Sequence, residues 1–271
     1  MPRPALSSQP TELLVVQHVE REGPGLLAEV AAAAGLKLRR LRPFAGDSLP
    51  RRIAPHQLLA VMGGPMGVAD IGDPAFPWLE PVVGLLQQAL ADGRPVIGFC
   101  LGAQLLAEAA GGGAGPLEVG DPPLPHREVG FGAISFLPTE AAEPVLTGLP
   151  ASLLVLHWHG DRIQLPPSAT LLASSLSCPE QLFRIGPRAY GLQCHIEVGP
   201  ECLEQWIRED ASFVATALGT EGAARLRVDG NRWLQAATPV WRRLLTNILS
   251  ECLHPTVEHV QGKGFSEAGP A

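Results

Sequence analysis

The run Pro95-Val96-Ile97-Gly98-Phe99-Cys100-Leu101-Gly102 constrains this chain more than any other part of it. The apolar, partly β-branched residues 95–99 predict a buried strand, and residues 101–110 carry helical spacing closed by Gly111-Gly112-Gly113. Cys100 alone must then turn the chain from strand to helix. A turn that tight strains the backbone of the residue at its apex and thrusts its side chain outward. Bulky residues two positions away would clash, and Gly98 and Gly102 stand at those positions. The start of the helix favours a thiolate and leaves the Leu101 N–H free for a developing oxyanion. The same residues also fit a small buried cysteine between packing glycines, because cysteine is among the most buried residue types.

The flanking segments give the architecture. Residues 13–18 predict a buried strand, 25–34 a helix ending at Gly35, 58–62 a strand stopped by Gly63-Gly64-Pro65, and 78–91 an amphipathic helix. Strands alternating with helices specify an α/β fold, with an open, mostly parallel sheet flanked by helices. From Val129 the pattern changes to short apolar segments broken by turns, at 134–136, 153–158, 170–174, 181–185 and 189–194, which predict a partly antiparallel β addition. Two or three helices are expected after Pro200, the last over 240–253. Residues 1–12 read as a loose leader, 13–253 as a single domain and 254–271 as a flexible tail.

Composition removes several classes of function. Of the 271 residues 46% are hydrophobic and 17% charged, enough to build a sizeable core. The net charge is -7 and no basic run exceeds Arg39-Arg40 or Arg51-Arg52, so no nucleic-acid partner is expected. No apolar stretch is long enough to span a membrane, and the start lacks a secretory signal. The five cysteines form no Cys-x-x-Cys pair, which disfavours a disulfide scaffold and a zinc ribbon and fits a reduced cytoplasm.

Three further clusters could carry chemistry. His195-Ile196-Glu197 follows a predicted strand. A thiol attacking an amide needs a base that later protonates the leaving nitrogen, and a carboxylate two residues on can fix the tautomer of that base. A strand-end histidine beside an exposed glutamate would look the same. Gly63-Gly64-Pro65-Met66-Gly67 sits where backbone N–H groups can point into a crevice at the carboxyl edge of the sheet, although on its own it is a turn. In an extended segment His157, His159 and Asp161 share a face, which invites a metal reading. Spacing places no fourth ligand, however, and Gly160 suggests a backbone-defined loop.

Together these stretches resemble the class I glutamine amidotransferases of the Cys-His-Glu triad type, and among them stand-alone members related to the amidotransferase domain of GMP synthase. The resemblance rests on Gly63-Gly64-Pro65-Met66, Pro77-Trp78-Leu79, the elbow run from Pro95 to Ala107 with Gln104, Glu128-Val129-Gly130-Phe131, His157-Trp158-His159-Gly160-Asp161, and Gly191-Leu192-Gln193-Cys194-His195-Ile196-Glu197-Val198. These occur in the family's order and span roughly residues 13–252. The family often has His-Pro-Glu where Ile196 stands here, Phe where Cys194 stands, and Ser at position 67.

The resemblance implies a flavodoxin-like three-layer fold and a role for each matching position. Cys100 would be the nucleophile, His195 the general base and acid, and Glu197 its orienter. The backbone N–H groups of Gly64 and Leu101 would form the oxyanion hole. Gln104, Gly160 and Asp161 would hold the amino-acid end of glutamine, and His157 and His159 would shape the loop without binding metal. Glutamine would be cleaved to glutamate and ammonia with no cofactor. No P-loop and no Ser-Gly-Gly-x-Asp-Ser loop occurs here, so an ammonia acceptor is expected on a separate synthase chain, if there is one. Two other functions share these residues. One is a γ-glutamyl amide or peptide hydrolase with the same triad. The other is a binding or regulatory module with little turnover.

Overall fold

Each strand of the N-terminal half divides its side chains between two cores. In the computed structural model, which describes residues 10–139 and 142–254, Leu13 and Val15 pack into one cluster and Leu14 and Val16 into another. Leu58 and Ala60 separate from Leu59 and Val61 in the same way. This is the two-residue alternation of a strand with both faces covered, so the sequence reads as continuously apolar.

In chain order the elements are β1 (Glu12–Val16), α1 (Gly25–Ala33), β2 (Lys37–Leu41), β3 (Gln57–Val61), α2 (Leu79–Ala91), β4 (Val96–Phe99), α3 (Leu101–Ala109), β5 (Gly113–Pro116), β6 (Glu118–Val119), β7 (Leu124–Pro125), β8 (Glu128–Phe136), β9 (Ser152–His159), β10 (Asp161–Gln164), β11 (Ala169–Ser174), β12 (Leu182–Ile185), β13 (Ala189–Leu192), α4 (Pro200–Glu209), α5 (Ala211–Leu218) and α6 (Gly222–Leu253). A nine-stranded sheet runs β2-β1-β3-β4-β13-β12-β11-β8-β9. Its first five strands pair in parallel, and the remainder continue the same sheet antiparallel. Helices α2 and α3 cover one face, and α1, α4, α5 and α6 the other. The α/β fold, the parallel sheet and the antiparallel addition are therefore as expected.

Two elements differ from the sequence reading. β2 was not anticipated, because Lys37, Leu38, Arg39 and Arg40 are all exposed. It is a charged strand at the sheet edge, held by backbone pairing to β1, and so lacks an apolar signature. α6 is one helix of 32 residues that runs through Pro239. A buried stripe including Leu226, Leu234, Trp241, Leu245 and Ile248 lies along it. That burial outweighs the hydrogen bond the proline cannot make. The expected leader falls mostly in residues 1–9 and the expected tail in 255–271, outside the described residues; β1 itself begins at Glu12.

Because β1, β3, β4 and β13 are parallel, their carboxyl ends lie along one edge of the sheet. His18, Gly63-Gly64, Cys100 and His195 all follow those ends, the usual place for ligands in open α/β sheets.

Candidate active site

Cys100 has φ 47° and ψ -110°, the one non-glycine residue with positive φ among the described residues. The glycines beside it are sterically required. A Cβ on Gly98 would lie 2.5 Å from the carbonyl oxygen of Gly102, and a Cβ on Gly102 would overlap the carbonyl oxygen of Val61. The strained turn is thus held by close backbone packing of β4 and α3 against each other and against β3. The Cys100 thiol lines a cavity of about 440 Å³.

His195 follows β13 and is fixed from several sides. Its backbone exchanges hydrogen bonds with Leu156 of β9, N to O at 2.8 Å and O from N at 3.2 Å. Trp206 of α4 meets the ring edge-on, with centroids 4.7 Å apart. Nδ1 lies 2.7 Å from Glu197 Oε1, and Glu197 Oε2 accepts the Ile196 N–H at 2.9 Å. Both side chains are almost fully buried. Burial alone would lower the pKa of His195, but the Glu197 carboxylate and hydrogen bonds to Cys100 and Glu197 together hold it well above 6.5. Cys100, His195 and Glu197, predicted together from sequence, therefore stand together.

Gly64, Gln104, Gly160 and Asp161 border the same cavity, and Leu101 packs beside Gly64. Gly64 packs against Leu101, whose Cδ2 would lie 3.1 Å from a Cβ placed on that glycine. The backbone N–H groups of residues 64 and 101 thus stand on neighbouring segments, and the second belongs to the unpaired first turn of α3. Gln104 is buried and donates to Gln193 Oε1 at 3.2 Å, while Gln193 Nε2 contacts Cys100 Sγ at 3.5 Å. Gly160 and Asp161 line the cavity at the junction of β9 and β10. Burial raises the pKa of Asp161, and its Oδ2 would lie 3.1 Å from a Cβ at Gly67, so glycine there makes room for the carboxylate.

The structure does not bring the Asp161 carboxylate into a three-ligand group with the two histidines; the Asp161 backbone carbonyl meets His159, at Nδ1. His157 and His159 converge on Glu128 instead, across the β8–β9 ladder. Burial lowers the His157 pKa to about 4.

Three residues escaped the sequence reading. Glu22 lines the cavity next to Gly63, with its pKa raised by burial to about 7. Its position shortly after the end of β1, at the ligand-binding edge, was the available signal. Gln193 and Glu128 lay inside stretches already singled out, but their partners come from other elements, so spacing gave them no role.

The chain is similar to known proteins in both sequence and fold. The family model "Glutamine amidotransferase class-I" matches residues 46–210. The glutamine amidotransferase-like protein YfeJ of Salmonella typhimurium is 32% identical over 206 residues, covering 75% of this chain and 83% of its own length. The glutamine-hydrolysing GMP synthase of Aeropyrum pernix is 32% identical over 188 residues, 64% of this chain but 33% of that protein, so the chain spans about a third of that relative. Glutamine amidotransferase structures from Thermotoga maritima and Methylobacillus flagellatus superpose with TM-scores of 0.74 and 0.75, each at 26% identity, over 90% and 92% of this chain and 98% of theirs.

Proposed function

The chain belongs to the class I glutamine amidotransferases, and on that premise we propose that it hydrolyses the γ-amide of glutamine through a γ-glutamyl thioester on Cys100. The observation that carries this reading is the His195–Glu197 pair, Nδ1 to Oε1 at 2.7 Å, beside a thiol on a positive-φ turn: a Cβ on Gly63 would lie 3.4 Å from His195 Cε1 and 3.5 Å from Cys100 Cβ.

In the proposed cycle Cys100 Sγ bonds to the γ-carbon, and the carbonyl electron pair moves to oxygen. The N–H groups of Gly64 and Leu101 donate to that oxyanion. His195, holding the thiol proton, passes it to the amide nitrogen; the C–N bond breaks and ammonia leaves. Water then gives a proton to His195 and attacks the thioester carbon. The C–S bond breaks, and glutamate and the free nucleophile are released. Glu197 keeps the ring in register and stabilises the imidazolium. Gln104, Gly160 and Asp161 hold the amino-acid end of the substrate, a role supported by their place around the same cavity. Every step uses only side chains, backbone N–H groups and water.

If the released ammonia has an acceptor, a synthase on a separate chain is the candidate, as the glutamine-hydrolysing GMP synthases among the relatives suggest. Among the described residues no helix is long and apolar enough to cross a membrane. All five cysteines are free, which supports a reducing cytoplasmic setting.

The test is glutamate release from glutamine by wild-type protein and by Cys100→Ala, together with labelling by a glutamine-mimic electrophile. Activity and labelling are expected to vanish in the variant. Undiminished hydrolysis by Cys100→Ala would sink the assignment. A second reading is favoured by the cavity lining, which includes Asp210 and Phe213, residues given no part in holding glutamine. A γ-glutamyl amide with a larger amine would use that space. Faster glutamate release from γ-glutamyl amines than from glutamine would select this alternative.

A further inference from the structure

The β8–β9 ladder carries a buried polar cluster that amide hydrolysis does not use. Glu128 lies opposite His159 in the register and His157 opposite Gly130, so the three side chains share one face. Glu128 Oε2 is 3.1 Å from His159 Nε2 and 3.6 Å from His157 Nδ1. One donor atom from each residue lies within 4.8 Å of the others, the one such group of three found among the described residues.

The hydrogen bonding of this cluster is incomplete. His159 Nδ1 is 2.8 Å from the carbonyl oxygen of Asp161, so that nitrogen carries the proton. A neutral ring then turns the lone pair of Nε2 toward a carboxylate oxygen, and two lone pairs make no bond. Gln181 Nε2 reaches that Nε2 only at 3.4 Å while donating to Glu128 Oε2 at 2.7 Å, so a second proton or a metal ion is needed to join the pair directly. His157 Nδ1 is buried with no hydrogen-bond partner, since 3.6 Å is beyond hydrogen-bond range, and Gln181 Oε1 is likewise unpartnered. A second proton on His159 would satisfy that pair but would leave His157 Nδ1 unpartnered. One metal ion would answer both.

We propose that Glu128, His157 and His159 bind a divalent transition-metal ion of the zinc type through Oε2, Nδ1 and Nε2, at a site separate from Cys100, His195 and Glu197. Two imidazoles and a carboxylate suit zinc, and zinc–ligand distances of about 2.0–2.2 Å place tetrahedral ligand atoms roughly 3.3 Å apart. The Glu128 separations of 3.1 and 3.6 Å bracket that spacing. The supporting contacts are also in place. The Asp161 carbonyl orients His159, the Ser175 hydroxyl donates to Glu128 Oε1 at 2.6 Å, and Gln181 Nε2 donates to Oε2 at 2.7 Å. Such an ion would fix the end of β9, where the chain enters Gly160 and Asp161. None of its ligands belongs to the proposed catalytic set, so the site stands or falls independently of the glutaminase reading.

The experiment uses the Cys100→Ala protein, which lacks the catalytic thiol as a competing ligand. It is titrated with Co²⁺ and Zn²⁺ by calorimetry, and the Co²⁺ form is followed by visible absorption. The expected result is one equivalent bound, with ligand-field bands, no sulfur-to-cobalt charge-transfer band, and displacement by Zn²⁺. Adding His157→Ala should weaken binding at least 100-fold, and adding Ser175→Ala about 10–100-fold. Absence of saturable binding, a thiolate charge-transfer band, or affinity unchanged by His157→Ala would each overturn the proposal. Should His157→Ala fail to fold, judged by circular dichroism, the Co²⁺ spectrum of Cys100→Ala and the Ser175→Ala affinity decide it.

Discussion

Glu22 and His195 face each other across Gly63, with no side chain between them. A Cβ on that glycine would overlap Glu22 Oε2 and lie 3.4 Å from His195 Cε1. Glu22 is only 8% exposed, and burial raises its pKa from 4.5 to about 7, against the opposing pull of His195 and Arg21. Between those values the unfolded chain has released this proton and the folded protein still holds it. Stability therefore falls as pH rises from about 4.5 to about 7, by about 3 kcal/mol in total. Glu22→Gln should lose that slope. Urea unfolding of both proteins at pH 5 and pH 8 checks it through the difference between them. His18 and His157, each lowered by burial to about 4, add stability as pH rises from about 4 to 6.5 in both proteins and so cancel. Equal pH slopes in the two proteins would contradict the assignment.

The glycines at the two ends of α3 should tolerate substitution very unequally. Gly102→Ala would drive its Cβ into the carbonyl oxygen of Val61, a backbone atom that cannot rotate away. We expect a loss of about 3 kcal/mol or more and of glutaminase activity together, because relief requires moving Cys100. Gly111 at the end of α3 has φ 86°, but a Cβ added there would meet nothing within 4 Å. Gly111→Ala should cost about 1 kcal/mol and leave kcat intact. Denaturant midpoints and kcat for the two variants test the contrast.

Glu197 acts through charge as well as geometry. Glu197→Gln keeps an acceptor for His195 Nδ1–H but removes the attraction that, with Cys100, holds the imidazolium above its ordinary range against burial. The imidazolium should then be lost at lower pH, and its partnership with the thiol with it. Iodoacetamide alkylation of Cys100 at neutral pH should slow about tenfold or more, and kcat should fall by about 10²–10⁴. An unshifted alkylation profile would mean that Glu197 only positions the ring.

The parallel half of the sheet was legible because β1, β3 and β4 are buried on both faces and each is punctuated by glycine or proline. β2 was not, since its exposed Lys37, Arg39 and Arg40 carry no apolar pattern and only pairing to β1 makes it a strand. The site was legible where its chemistry is local, as in Cys100 between two glycines and His195 two residues from Glu197. It was opaque where partners meet across the fold. Glu128 reaches His159 through strand register, and Glu22 reaches His195 over a glycine, and neither relation exists in sequence spacing.

Gln193 joins the substrate side of the site to the nucleophile. It accepts from Gln104 Nε2 at 3.2 Å and donates from Nε2 to Cys100 Sγ at 3.5 Å, all three being buried. An amide N–H beside sulfur favours a negative sulfur, and the opposite sign there should do the reverse. Gln193→Met removes the donor without adding charge, and about a tenfold loss in kcat/KM is expected, roughly one hydrogen bond's worth. Gln193→Glu keeps the acceptor for Gln104 but sets a carboxylate against the thiol. It should retain KM better than Met while losing about 100-fold or more in kcat and in the alkylation rate of Cys100. Steady-state kinetics and alkylation of both variants decide the point. If Glu is tolerated better than Met in kcat, Gln193 serves as packing for Gln104 and not as a partner of the sulfur.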